Sequence, residues 1–183
     1  MRDKLLSLLK EKSFEKRRVV LSSGKESDFY VDVKQTALHP QGAYLIGKLI
    51  LGLLKKGERV EAIGGMTMGA DPLAVSVSLL SYLAQQGKKM PLPAFFVRKE
   101  PKKHGTEQWL EGTKNLKSGT AVAILEDVVT SGAQALSAIE RVEKGGFVVK
   151  RVIAVVDREE GGREEIERKG YVFESLFRRS DFF

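Results

Sequence analysis

Cysteine is absent from the chain, which excludes a disulfide framework and any thiolate metal site. Histidine is scarce. His39 and His104 are the two in 183 residues, too few to build a histidine-rich metal centre. Asparagine occurs once, at Asn115, and this scarcity beside abundant Lys, Arg and Glu matches the composition of heat-adapted proteins. A long apolar run is missing as well. The N-terminal MRDKLLSLLKEKS carries Asp3 and Glu11 around a short apolar core, so it reads neither as a signal peptide nor as a membrane span, and a cytoplasmic location is the expectation. No internal repeat or low-complexity linker interrupts the sequence.

What is present points to a globular domain. Hydrophobic residues make up 42% and charged residues 30%, too apolar a mixture for a disordered chain. The length suits one domain with a substantial core and a small appendage. The formal charge is 31 − 24 = +7, which favours anionic partners: nucleic acid, an acidic membrane surface or a polyphosphate substrate. Charge alone does not choose among them.

Periodicity predicts a short amphipathic helix over 3–12, a turn at 22–25 and a strand over 29–33. A helix over 43–55 follows, then a short buried strand at Ala62-Ile63, a glycine-rich turn over 64–69 and a helix over 72–86 opened by Pro72. Residues 93–97 read as a strand, and 98–116 as a long polar connection, of the kind that in a compact domain is either disordered or functional. Residues 121–125 form a continuous apolar run, the mark of a strand buried on both faces. A helix over 133–144, a strand over 148–156, a helix over 164–169 and a strand over 171–176 complete the pattern. Strands alternating with helices imply an α/β fold, a parallel sheet with helices on both faces. Residues 1–35 break the alternation and are expected to form a hood with the C-terminal end, within one domain spanning 1–183.

The chemistry concentrates after the central strand. Glu126 and Asp127 stand where that strand ends, at the sheet edge where ligands of open parallel sheets bind. Val128, Val129, Thr130, Ser131 and Gly132 lead into a helix whose first N–H groups lack partners and carry a partial positive charge. Gly132 permits close backbone approach, and Thr130 and Ser131 add hydroxyl donors, so the segment reads as a phosphate cradle. The bland alternative is a helix with an ordinary Ser/Thr cap. Carboxylates beside a phosphate site make sense if they accept hydrogen bonds from ribose hydroxyls, or if Mg²⁺ sits nearby on water and substrate oxygens.

This segment resembles the ribose-phosphate motif of the type I phosphoribosyltransferases: a hydrophobic run, two acids, then T-[ST/A]-G. The matching residues are Glu126, Asp127, Val128, Val129, Thr130, Ser131, Gly132, Ala133 and Gln134. The resemblance implies binding of phosphoribosyl pyrophosphate (PRPP) and transfer of its ribosyl group to a nitrogen. Competing nucleotide motifs fail: there is no G-x-x-x-x-G-K-[ST], and Gly64, Gly65 and Gly69 do not satisfy G-x-G-x-x-G.

Three more segments, in family order, are similar to the orotate phosphoribosyltransferases. They are LSSGKES with FYVD at 21–32, FVRKEPKKHG at 96–105, and Asp157-Arg158 at a strand end. The second resembles that family's mobile loop, R-K-x-x-K-x-H-G. The resemblance implies pyrophosphate contacts from Arg98, Lys99, Lys102 and His104, orotate contacts from Thr130, Arg158, Tyr30 and Val31, and catalytic roles for Lys102, His104 and Asp127. It implies PRPP and orotate as substrates and Mg²⁺ held mainly through substrate oxygens and water. It also implies a homodimer whose 98–116 loop reaches the partner's site, with no nucleic acid or membrane partner. The chain departs from the family at Ser22 and at Thr67-Met68, where many members carry lysine. A purine-base transferase and a PRPP-fold regulator that binds RNA or nucleotides are the rival readings.

Overall fold

The computed structural model describes residues 1–16, 29–84, 91–102 and 108–183, and the backbone of 19–20 and 26–27. In chain order it contains α1 (Arg2–Lys12), β1 (Phe14–Glu15), β2 (Val19–Val20), β3 (Glu26–Ser27), β4 (Tyr30–Val31), α2 (Lys34–Ala37) and α3 (Pro40–Leu54). Then come β5 (Ala62–Met66), α4 (Asp71–Leu83), β6 (Ala94–Lys102), β7 (Gln108–Glu111), β8 (Ala121–Val129), α5 (Ala133–Lys144), β9 (Val148–Asp157), α6 (Gly162–Arg168), β10 (Val172–Arg178) and a 3₁₀ turn (Arg179–Phe182). Six strands form one sheet in the order β10-β9-β8-β5-β6-β7. Every pairing in it is parallel except β6 with β7.

Strand β8 explains why its sequence lacks alternation. Val122 and Ile124 face Ala135, Ala138, Ile139 and Val142 of α5. Ala123 and Leu125 point the other way, into a cluster with Ile46 and Ile50 of α3 and Leu73 and Val77 of α4. Successive side chains alternate across a sheet, so only an all-apolar strand satisfies two covered faces. The chain ends close one side of the molecule. Leu5 and Leu9 of α1 are fully buried, and Phe14 and Phe29 cluster with Phe182 and Phe183 at centroid separations of 5.2–6.1 Å. Arg2 adds an ion pair to Asp181 at 3.0 Å.

The structure corrects three expectations. Gly64 and Gly65 belong to β5, and the turn begins only at Thr67. Their lack of side chains serves close packing: a Cβ on Gly64 would lie 2.3 Å from the Phe95 carbonyl oxygen, and one on Gly65 would lie 2.1 Å from that of Leu125. Second, β6 runs on from 98 to Lys102 and β7 (Gln108–Glu111) pairs antiparallel with it, Phe96 with Glu111, Val97 with Leu110 and Lys102 with Gln108. Backbone pairing at a solvated sheet edge needs no apolar periodicity, so the sequence pattern concealed it. Third, the strand expected over 29–33 ends at Val31, because the Asp32 carboxylate accepts the N–H of Lys34 at 3.2 Å and turns the chain into α2. The turn expected at 22–25 lies outside the described residues.

Candidate active site

The carboxyl ends of β5, β6 and β8 open onto a cleft of about 450 Å³. Its floor is the segment from Glu126 to Ala135; Met66 to Gly69 and Lys99 form one wall, and Tyr30, Val31, Asp32 and Lys34 the other. Strand β8 continues to Val129, so both acids stand within its last turns of pleat. Alternation then separates them. Glu126 is 2% exposed, and its Oε1 has no hydrogen-bond partner among the described residues. Burial, with the like charge of Asp127 added, pushes its carboxyl up to about 8, against a smaller downward pull from Lys99. Glu126 is therefore mostly protonated at neutral pH, able to donate as well as accept.

Asp127 has a different environment. Its Oδ1 accepts the N–H of Val128 at 2.9 Å, and its Oδ2 lies 3.7 Å from the Lys34 ammonium. The bare backbone of Gly69 makes room for it, since a Cβ there would sit 2.6 Å from the carboxylate. Beyond the strand, Gly132 occupies the left-handed region at φ +80° and starts α5 with no side-chain cap. The first N–H groups of α5 are thus left to a ligand, the arrangement a phosphate requires. A second glycine locks this turn from behind. A Cβ on Gly162 would lie 2.5 Å from the Thr130 carbonyl oxygen.

Of the residues singled out from the sequence, the whole segment 126–134, Lys99, Tyr30 and Val31 border this cleft, Val31 being otherwise part of the core. Others are elsewhere. The Arg98 guanidinium bonds Glu111 at 3.1 Å and the Glu100 carbonyl at 3.2 Å, and does not line the cleft. Lys102 stands exposed at the far end of β6, also away from it. Arg158 is buried, donating to the Phe29 carbonyl at 2.9 Å and to Glu160 at 3.0 Å. Its burial was missed because no local pattern marks a guanidinium that reaches back across 129 residues of chain. His104 lies outside the described residues. Asp32 and Lys34, by contrast, were not picked out and do line the cleft. Their signal, an acid and a base two residues apart just after an aromatic-led strand, is too common to stand out alone.

The chain is 46% identical to an orotate phosphoribosyltransferase of Sorangium cellulosum over 181 residues, covering 99% of this chain and 92% of that one. The chain belongs to the orotate phosphoribosyltransferase family. No protein-family model matches the chain. Among solved structures it is similar to the orotate phosphoribosyltransferase of Mycobacterium tuberculosis, with TM-score 0.82, 36% identity and coverage of 99% and 98%. The complex of the M. tuberculosis enzyme with PRPP superposes with TM-score 0.77 at 32% identity, covering 99% and 98%. The fold is accordingly that of the type I phosphoribosyltransferases, and the protein is an enzyme of the glycosyltransferase type.

Proposed function

We infer that this orotate phosphoribosyltransferase family member joins orotate to the phosphoribosyl group of PRPP, giving orotidine 5′-monophosphate and pyrophosphate in pyrimidine biosynthesis. The observation that carries this reading is the cleft itself. Its floor presents a helix start with no side-chain cap, and beside it stand two acids, of which the buried Glu126 is largely neutral. The 5′-phosphate rests on the turn from Thr130 to Gln134. Asp127 accepts from a ribose hydroxyl, and Glu126, with an oxygen to spare, exchanges a hydrogen bond with another. Orotate N1 attacks the anomeric carbon as the bond to pyrophosphate breaks; that bond's electron pair leaves on the pyrophosphate, and the N1 proton passes to the departing pyrophosphate or to solvent. Thr130 and the buried Arg158 support the orotate, with Tyr30 and Val31 along its ring.

The basic residues of β6 serve the leaving group. Lys99 already borders the cleft, while Arg98, Lys102 and His104 reach the pyrophosphate when the hairpin folds inward. Charge-assisted hydrogen bonds contribute roughly 1.5–3 kcal/mol each, and those that strengthen as the bond breaks raise the rate. Closure also keeps water from the oxocarbenium-like centre. Magnesium fits as an ion carried by the substrate. Among the described residues no group of three Asp, Glu or His side chains is placed to cage a metal, and Asp32 and Asp127 border the cleft where such an ion would sit through water. When bound, the ion neutralises pyrophosphate charge.

A homodimer completes the reading. Val75, Leu79, Tyr82 and Leu83 form an exposed apolar stripe along α4, at the spacing of one helix face, and Met68 at the cleft rim is 72% exposed. A partner copy docked on this stripe would bring its own hairpin near the cleft. No helix among the described residues is long and apolar enough to cross a membrane, and the proposed location is the cytoplasm. The test is an absorbance assay of orotate consumption with PRPP and Mg²⁺, with and without chelator. Consumption that stops with chelator is expected. Turnover of adenine or hypoxanthine without orotate turnover would overturn the acceptor assignment. Sedimentation should give twice the chain mass, falling to the monomer for Leu79→Glu.

A further inference from the structure

The cleft has to accept a substrate carrying several negative charges, yet its own walls hold three acids: Asp32, Glu126 and Asp127. Among the described residues that line it, two are cationic, Lys99 and Lys34. Lys99 comes from β6, the strand next to the sheet edge. Lys34 comes from the opposite wall, and its ammonium lies 2.7 Å from Asp32 Oδ1 and 3.7 Å from Asp127 Oδ2.

A plain surface ion pair does not account for Lys34. Asp32 already accepts from the Lys34 backbone N–H and from Gln35 Nε2, both at 3.2 Å, so its carboxylate has partners without the ammonium. Half-exposed pairs of this kind contribute little to stability. What the ammonium adds is reach to a second strand. Asp32 holds it where Asp127 has one oxygen left over, the other being taken by the Val128 N–H. Gly69 closes the remaining side. The Asp127 carboxylate is thereby fixed from three directions, by a backbone donor, a cation and a packing wall.

We infer that Lys34 is a positioning residue for the sugar: anchored by Asp32, it holds Asp127 in the orientation that receives ribose hydroxyls and offsets its charge against the incoming phosphates. The inference rests on the transferase reading above. It specifies which part of the substrate should notice the loss of Lys34. Ligands that contain ribose 5-phosphate depend on Asp127, whereas pyrophosphate alone does not.

The experiment measures binding of PRPP, orotidine 5′-monophosphate and pyrophosphate by calorimetry to the full chain and to Lys34→Gln, Lys34→Arg and Asp32→Asn, with steady-state kinetics and melting temperature alongside. For Lys34→Gln, PRPP and the nucleotide should weaken about tenfold, in line with loss of one charge-assisted contact. Pyrophosphate affinity and melting temperature should stay near those of the unaltered protein. The KM for PRPP should rise more than kcat falls, Lys34→Arg should recover most of the affinity, and Asp32→Asn should show a smaller loss in the same direction. Unchanged nucleotide affinity in Lys34→Gln overturns the inference while leaving the transferase reading intact. Equal weakening of pyrophosphate also overturns it, by placing Lys34 on the leaving group. If Lys34→Gln does not fold, the Asp32→Asn result decides by the same criteria. An unaltered protein that neither binds PRPP nor consumes orotate instead removes the transferase reading itself.

Discussion

Two regions border the same cleft and are built in opposite ways. The turn after β8 is set by packing: a buried strand leads in, Gly132 takes the left-handed conformation at φ +80°, and Gly162 presses on it from behind. The β6–β7 pair is set by charge and edge pairing, and Lys99, Glu100, Lys102 and Gln108 on it are exposed. Its base is held by one side chain of α5. Arg141 donates to the Arg98 carbonyl at 2.7 Å and lies 4.2 Å from the centre of the Trp109 ring. The contrast teaches a division of labour. In the proposed mechanism, groups that meet the ground-state substrate sit on the tightly packed turn, and groups that follow the departing anion sit on the more exposed hairpin.

The largest expected effect comes from breaking the rigid region. Gly162→Ala would set a Cβ 2.5 Å from both the Thr130 carbonyl oxygen and Val129 Cγ1, neither of which can retreat easily. A displacement of the cradle by about an ångström costs on the order of 100-fold in kcat/KM for PRPP. Activity within a factor of about two of the unaltered enzyme would mean that the turn is not set by this contact.

Next in size is Lys102→Ala, on the exposed hairpin. Loss of one charge-assisted contact made in the transition state lowers kcat by roughly 10- to 100-fold, with a much smaller rise in the KM for PRPP and little change in melting temperature. Unchanged kcat would take Lys102 out of the chemical step.

Arg141→Met should act more mildly, because it loosens the hairpin's base without touching substrate. A cation–π contact at a partly exposed site contributes about 0.5–1 kcal/mol, so kcat should fall by only about two- to five-fold. Trp109 is the single tryptophan, so its emission reports on this site alone. A red shift in the variant is the expected signature, and identical emission with identical kcat would show that Arg141 does not anchor the hairpin.

The smallest effect concerns pH. The Glu126 carboxyl is raised from 4.5 to about 8 in the folded state, so between those values the folded chain keeps a proton that the unfolded chain has released. Stability from this group is fully present below 4.5 and is lost as pH rises through the folded value. Melting temperature should decline across that interval, and Glu126→Gln should flatten the decline. A variant whose curve parallels the parent's would show that Glu126 is not the titrating group.

The strand–turn–helix from 121 to 144 was legible because each of its cues is local: a two-sided apolar run, a glycine at the turn, a helical period after it. Helix α5 begins and ends where that period predicts. The hairpin was not legible, since edge strands carry no burial pattern to read. Nor was the strand role of Gly64 and Gly65, because a glycine kept for close approach and one kept for a turn look the same in sequence.

The amino-acid sequence by itself determined the α/β class, the family and the order of the binding segments, since these rest on short-range periodicity and on motifs contiguous in the chain. Tertiary structure alone decided how adjacent acids came to differ. Glu126 loses its water and most of its charge because α5 covers that face of β8, while Asp127, one residue on, turns to the other face and meets Lys34 from a segment 93 residues earlier. Burial and long-range pairing are properties of the packed chain, and they assign the two carboxyls of one motif to different chemistry.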